Sequence, residues 1–166
     1  MSLQHIQLSP IILQELFKHS LVEIKDTLKT KSTAPVETLK TLGNNKKNVL
    51  ILVSVNEAAF LPDDQLNFLL GILSACKLTM DDVAILNIHN YQSMDYKILE
   101  KQLKPLNIIL FGVHPGQIEL PLDFPFYQVQ RFNHQVYLAA PGLLKLQLDK
   151  SEKTKLWNSL KQVFSI

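Results

Sequence analysis

Between residues 48 and 88 the chain alternates between continuous apolar runs and one periodic stretch. Asn48-Val49-Leu50-Ile51-Leu52-Val53-Ser54-Val55 is apolar at successive rather than alternate positions, the pattern of a strand covered on both faces. Asp63 and Asp64 then offer a cap and an acidic first turn, and Leu66, Leu69, Leu70, Leu73 and Leu78 follow at helical spacing. Val83-Ala84-Ile85-Leu86-Asn87-Ile88 is the second apolar run. A strand, a helix and a strand with short joints form a right-handed crossover unit of a parallel sheet.

The flanking pattern extends this unit in both directions. Ser9-Pro10 is a helix start, and Ile12, Leu13, Leu16, Phe17, Leu21, Ile24 and Leu28 continue in steps of three and four, giving one amphipathic helix or two short ones. Residues 29–47 shift to Lys, Thr, Ser and Asn, with a short helix expected from Pro35 to Leu42-Gly43. A boundary near Asn44-Asn45 divides an N-terminal helical arm and linker, residues 1–47, from an α/β core domain, residues 48–166. Two uses of the arm are open: packing on the sheet, or docking on a partner.

Downstream, the spacing of Met94, Ile98, Leu99 and Leu103 predicts a helix over 93–104 that Pro105 halts. Residues 108–112 are the third buried strand, and 113–125, rich in proline and glycine, are a long loop of the kind that carries binding surfaces. Residues 126–131 and 135–139 alternate like an antiparallel hairpin or an edge pair, with Phe132-Asn133-His134 between them. Pro141-Gly142 breaks the chain. Ser151 is expected to cap a last helix with Glu152 in its first turn and Leu156, Trp157, Leu160, Val163 and Phe164 as its apolar stripe. The expected fold is an α/β three-layer sandwich with a mostly parallel central sheet.

Composition narrows the chemistry. Over 166 residues, 46% are hydrophobic and 19% charged, enough to close a core without metal or disulfide. The net charge is +2, and Arg131 is the sole arginine among 17 basic residues, which argues against base reading and bidentate phosphate clamping. Cys76 is the only cysteine, so no intramolecular disulfide forms, and a reducing, cytoplasmic setting is expected. No apolar run has the length of a membrane span, and no signal peptide is expected.

His5, His19, His89, His114 and His134 have no ligand-pair spacing, so no metal is expected. There is no G-x-S-x-G elbow, and residues 55–62 contain no glycine to cradle a phosphate, so no cofactor is expected. Asp63-Asp64 and Asp81-Asp82 read as caps and turns. Phe111-Gly112-Val113-His114-Pro115-Gly116 places a histidine in a constrained turn after a strand. That turn resembles loops of uracil-DNA glycosylases in which a His-Pro turn approaches DNA; where that family has an acidic, water-positioning loop after its first strand, this chain has Asn56-Glu57. Asn56 and His114 are the DNA-contact candidates of this alternative.

A broader match covers residues 48–164. Val49 to Val53, then Leu66, Leu70, Leu73, Leu78-Thr79, Asp82-Val83 and Leu86, and later Ala140-Pro141-Gly142-Leu143-Leu144-Lys145-Leu146 with the Leu156-Trp157 pair, resemble the psi subunit family of bacterial DNA polymerase III holoenzyme. The resemblance implies a non-catalytic adaptor with a uracil-DNA glycosylase-like fold. It implies that the arm binds a clamp-loader ATPase subunit, here through Ile12, Leu13, Leu16 and Phe17. It also implies that the core holds a chi-like subunit that contacts single-stranded DNA-binding protein. Tyr127, Arg131, Phe132 and Tyr137 are the candidate core-edge contacts, and the same edge serves a third reading, a homodimer.

Overall fold

The computed structural model describes residues 38–166. Strands β1 (Val49–Val53), β2 (Val83–Asn87), β3 (Asn107–Phe111), β4 (Val129–Phe132) and β5 (Gln135–Ala140) form one sheet in the order β2-β1-β3-β5-β4. The first four in that order are parallel, and β4 closes one edge antiparallel to β5. Helix α1 (Asp63–Ala75) carries the chain from β1 to β2, and α2 (Tyr96–Leu103) from β2 to β3. After β5 come α3 (Leu143–Leu148) and α4 (Lys150–Phe164). The expected α/β class and mostly parallel sheet are therefore present.

Side chains of β1 alternate between two dry faces. Val49, Ile51 and Val53 join Leu69, Leu73, Leu143, Leu146, Leu156 and Leu160, so α1, α3 and α4 cover one face. Leu50 and Leu52 join Leu99, Ile108, Leu110 and Ile118 on the other. Burial of each such side chain contributes about 1.5–3 kcal/mol, so strand and helices are stable only together. The second face has α2 as its only α-helix among the described residues. The segment expected to be an open binding loop covers the rest: Val113, Pro115, Ile118, Leu120 and Phe124 are all buried, around the short turn Pro115–Ile118.

The compact unit begins at Thr38. Leu39 is buried in the second-face core, and Leu42 bridges Ile85, its amide donating to Ile85 O at 2.9 Å and its carbonyl accepting from Ile85 N at 2.8 Å. Residues 38–42 are thus a sheet-edge cover and not the end of a short helix. Gly43 ends this cover at φ 102°, where an added Cβ would lie 2.3 Å from Val83 O and 2.6 Å from Met80 O. No side chain fits there. Beyond it, Asn44 Nδ2 and Lys46 Nζ both donate to the Asp81 carboxylate, at 2.7 and 2.8 Å. Asp82 accepts from the amide and hydroxyl of Thr79, so the Asp81-Asp82 pair does serve turns and ion pairing.

Element ends differ from the sequence reading where cap geometry decides. Pro62, not an aspartate, stands at the N-cap of α1, with Asp63 and Asp64 inside the first turn. The helix expected from residue 93 begins at Tyr96, where Asp95 caps α2 by accepting from Lys97 N at 2.8 Å. Lys104 ends that helix in the left-handed region (φ 45°), its amide donating to Glu100 O at 3.1 Å as in an αL cap, and Pro105 follows because it cannot continue the helix. Asp149, not Ser151, caps α4, accepting from Ser151 N at 2.8 Å and Glu152 N at 3.3 Å. Helix α3 has no counterpart in the sequence reading. The hairpin turn is only Asn133-His134, with φ 51° and 62°, as a two-residue turn matching strand twist requires.

Two outcomes test this account. Gly43→Ala should lower stability by about 3 kcal/mol or more in urea unfolding, since the backbone must move off β2 to admit a methyl group. Tyr137 is wholly buried, its hydroxyl donating to Gln135 Oε1 at 2.6 Å while Gln135 Nε2 donates to Pro105 O at 2.9 Å. Burial, reinforced by the charge of Glu100, pushes its phenol up to about 12, whereas an unfolded tyrosine ionises near 10. The raised folded value means that its contribution is whole below about pH 10 and is lost as pH rises towards 12. Tyr137→Phe should cost about 1–2 kcal/mol at neutral pH by stranding Gln135 Oε1, and should flatten the loss of stability between pH 10 and 12.

Candidate functional site

The connection from β1 leads through α1 to one side, and that from β2 leads through α2 back across β1 to β3 on the other. The chain therefore diverges at the carboxyl ends of β1 and β3, the place where open α/β sheets form a crevice. A cavity of about 250 Å³ lies there, lined by Val53, Ser54, Asn56, Glu57, Gln65, Phe111, Gly112, Gly142 and Leu144 among others.

One wall is the segment between β1 and α1, which lacks glycine and is shaped from outside. Asn87, 1% exposed at the end of β2, accepts from Val55 N at 3.1 Å and donates to Val55 O at 2.7 Å and Ala58 O at 3.0 Å. Its Oδ1 also accepts from His89 N at 3.2 Å. Asn90 Nδ2 adds a bond to Ala59 O at 2.8 Å. With Leu61 buried behind it, the segment turns Asn56 and Glu57 outward to the crevice and solvent. A buried amide satisfied at both ends is a stiff clamp.

The opposite wall is a glycine joint. Gly112 has φ 66°, and a Cβ there would lie 3.1 Å from Gly142 Cα, while Gly112 N donates to Ala140 O at 2.9 Å. The ends of β3 and β5 thus meet backbone to backbone. Past the joint, Leu143 is buried and Leu144 is 59% exposed at the rim.

The polar lining consists of the Glu57 carboxylate, the amides of Asn56 and Gln65, and the Ser54 hydroxyl. Together they offer donors and acceptors for a polar group. His114 does not join them. It lines a separate depression of about 500 Å³ with Pro115, Asp123, Phe124, Pro125 and Phe126. Its Nδ1 accepts from Gly116 N at 3.2 Å, and its own amide donates to Gln117 Oε1 at 2.8 Å. Nε2 is 3.4 Å from Asp123 Oδ1, with both side chains mostly exposed. The imidazole therefore caps its own turn, and Asn56 and His114 face different cavities.

At the β4–β5 edge the sequence candidates separate. Arg131 is exposed; Phe132 is half-buried, its ring edge-on to Tyr96 at 6.0 Å. Tyr127 is half-buried against α4, where its hydroxyl donates to Glu152 and its carbonyl accepts from Ser159 Oγ at 2.6 Å. Burial and then the Glu152 carboxylate hold the Tyr127 phenol well above its usual range. Lys155, bonded at 2.8 Å, and then Tyr127 hold the Glu152 carboxyl below the ordinary range. Tyr137 is a core residue with no exposed surface, because β5 lies inside the sheet with β4 outside it; it is not available to a partner. Ile12, Leu13, Leu16 and Phe17 lie outside the described residues.

Asn87 and the Gly112–Gly142 joint were missed as site-building residues. A lone amide closing an otherwise apolar strand was the available signal for Asn87. Among the described residues, no group of three or more His, Cys, Asp and Glu side chains could hold a metal ion, and no helix is long and apolar enough to cross a membrane. The sheet and crevice define an α/β protein with a five-stranded, mostly parallel mixed sheet. The chain matches no protein-family model, and no curated protein matches its sequence.

Asn87→Ala should cost about 2–4 kcal/mol, because it removes the hydrogen bonds that one side chain makes to part-buried backbone groups of Val55, Ala58 and His89. Hydrogen exchange at Val55 should accelerate beyond the global loss of stability. Asn90→Ala, at an exposed position, should cost about 1 kcal/mol or less.

Proposed function

We propose that the chain is a non-catalytic adaptor of the bacterial DNA polymerase III clamp-loader complex, akin to the psi subunit. The observation that carries this reading is where the resemblance falls. Ala140 to Leu146 runs from the end of β5 through the glycine joint into α3, and Leu156-Trp157 lies on the next helix, so the matching words occupy one contiguous unit. Leu143, Leu146 and Leu156 are buried in it, while Trp157 is half-exposed. The order of the parallel strands, β2-β1-β3-β5, supports a three-layer, uracil-DNA glycosylase-like assignment.

In this reading the N-terminal arm, with Ile12, Leu13, Leu16 and Phe17, engages a clamp-loader ATPase subunit in the cytoplasm. The core holds a chi-like subunit and, through it, single-stranded DNA-binding protein. Two contacts on one chain raise effective concentration, so the accessory factor stays at the replisome without bond-making chemistry. The purified protein should co-migrate with the clamp-loader ATPase subunit in size-exclusion chromatography, and deletion of residues 1–31 should abolish this while leaving the circular dichroism of the core intact. Full binding by the truncated protein would refute the arm assignment.

A second reading, a DNA-repair relative of the glycosylases, is favoured by the crevice at the ends of β1 and β3 with Asn56 on its wall. Release of uracil from single-stranded DNA, lost in Asn56→Ala, would establish it and displace the adaptor reading; absence of turnover removes it.

A further inference from the structure

On the helical side of the sheet, α1 and α4 flank an apolar groove of about 430 Å³. Phe68 and Ile72 of α1 and Trp157 of α4 are half-exposed along it, and Leu156 and Leu160 form its buried base. An added Cβ at Gly71 would meet nothing within 4 Å, so the groove is open at that point.

No carboxylate lines the groove. Two ammonium groups lie across its aromatic rings: Lys153 Nζ is 5.4 Å from the Phe68 ring centre, and Lys161 Nζ is 5.4 Å from that of Trp157. Neither lysine is in an ion pair among the described residues, in contrast to Lys155, which bonds Glu152. Apart from Asn67, the groove is therefore apolar along its length and positive at its border.

Both flanking elements are helices, whose main-chain groups are bonded internally. An extended segment would find no sheet edge to pair with, and only side chains can be read. A helix with an apolar ridge meets that condition. We propose that the groove docks an amphipathic helix of a partner protein, its apolar ridge seated between Phe68 and Trp157 and its flanking carboxylates on Lys153 and Lys161. Desolvated aromatic walls would supply the binding energy, and the lysines would select an acidic partner over a basic one. This surface lies apart from the crevice and the β4–β5 edge, and it is independent of the replication reading.

Trp157 is the only tryptophan in the chain, so a peptide without tryptophan can be followed on the full-length protein by intrinsic fluorescence. The probe is a synthetic amphipathic helix with Leu and Phe at positions i, i+3, i+4 and i+7 and Glu on both flanks. A matched peptide with Lys flanks is the comparison. Binding of the Glu peptide should shift Trp157 emission to shorter wavelength, and the Lys peptide should bind at least about tenfold more weakly. Gly71→Leu fills the groove at a helical position where leucine is the better helix former. It should retain or raise the thermal midpoint and weaken the Glu peptide at least about tenfold. Lys153→Glu combined with Lys161→Glu should reverse the order of the two peptides. Failure of the full-length protein to bind the Glu peptide overturns the proposal, whether its own first 37 residues or a second copy, detected as a dimer by sedimentation, fills the groove. Equal binding of both peptides, or undiminished binding by Gly71→Leu, overturns it as well.

Discussion

Every residue of β1 is at most 1% exposed, and a strand that is dry on both faces imposes two covers and two neighbours on the rest of the chain. The covers are α1, α3 and α4 on one side, and α2 with the segment around Pro115–Ile118 on the other. The neighbours are β2 and β3, each pairing with β1 over its full length. Once these are in place, the outer edges have to be dealt with. Leu42 bridges β2 on one side, and β4 reverses direction beside β5 on the other. An antiparallel edge strand needs only a tight turn, whereas a further parallel one would need another crossover.

Polar groups that enter this dry interior do so in bonded sets. Asn87 at the carboxyl end of β2 holds the β1–α1 segment by its backbone, and Gln135 at the start of β5 joins Tyr137 to Pro105. The nitrogen and the oxygen of each amide have at least one partner, as burial requires. The first sets the shape of one crevice wall, and close contact of Gly112 with Gly142 sets the other. The crevice is thus built from backbone held in place, with only Asn56, Glu57, Gln65 and Ser54 to give it polar character. His114 is occupied as the cap of a turn on a neighbouring surface.

Strands β1, β2 and β3 and helix α1 were legible because their hydrophobic periods are unmixed, whereas β4, expected from residue 126, begins only at Val129 because residues 126 and 127 form a turn. Helix α3 was not legible: Leu144, Leu146 and Leu148 alternate with Lys145 and Gln147, a period of two, although only Leu143 and Leu146 are buried. Leu148 is 81% exposed, so its hydrophobicity carries no information about the core. The segment after β3 misled for the converse reason. Val113, Ile118, Leu120 and Phe124 reach the core without any repeat, because a segment wound through turns buries residues at irregular intervals. The displacement of the α4 cap from Ser151 to Asp149 reflects a choice between neighbouring Ser and Asp side chains that depends on backbone angles. The crevice itself was readable only as a strand end; which loops meet there depends on the order of strands.

Short-range chemistry in the chain was sufficient for the two buried strands, the crossover helix between them and the α/β class, since each depends on residues a few positions apart. Sheet order and the inward placement of β5, with its burial of Tyr137, depend instead on pairings between distant segments. So do the clamp from Asn87 to Val55 and the groove between α1 and α4, whose partners are separated by tens of residues. No local pattern records those separations. They are decided when the chain closes on itself and each apolar face finds the one cover that excludes water.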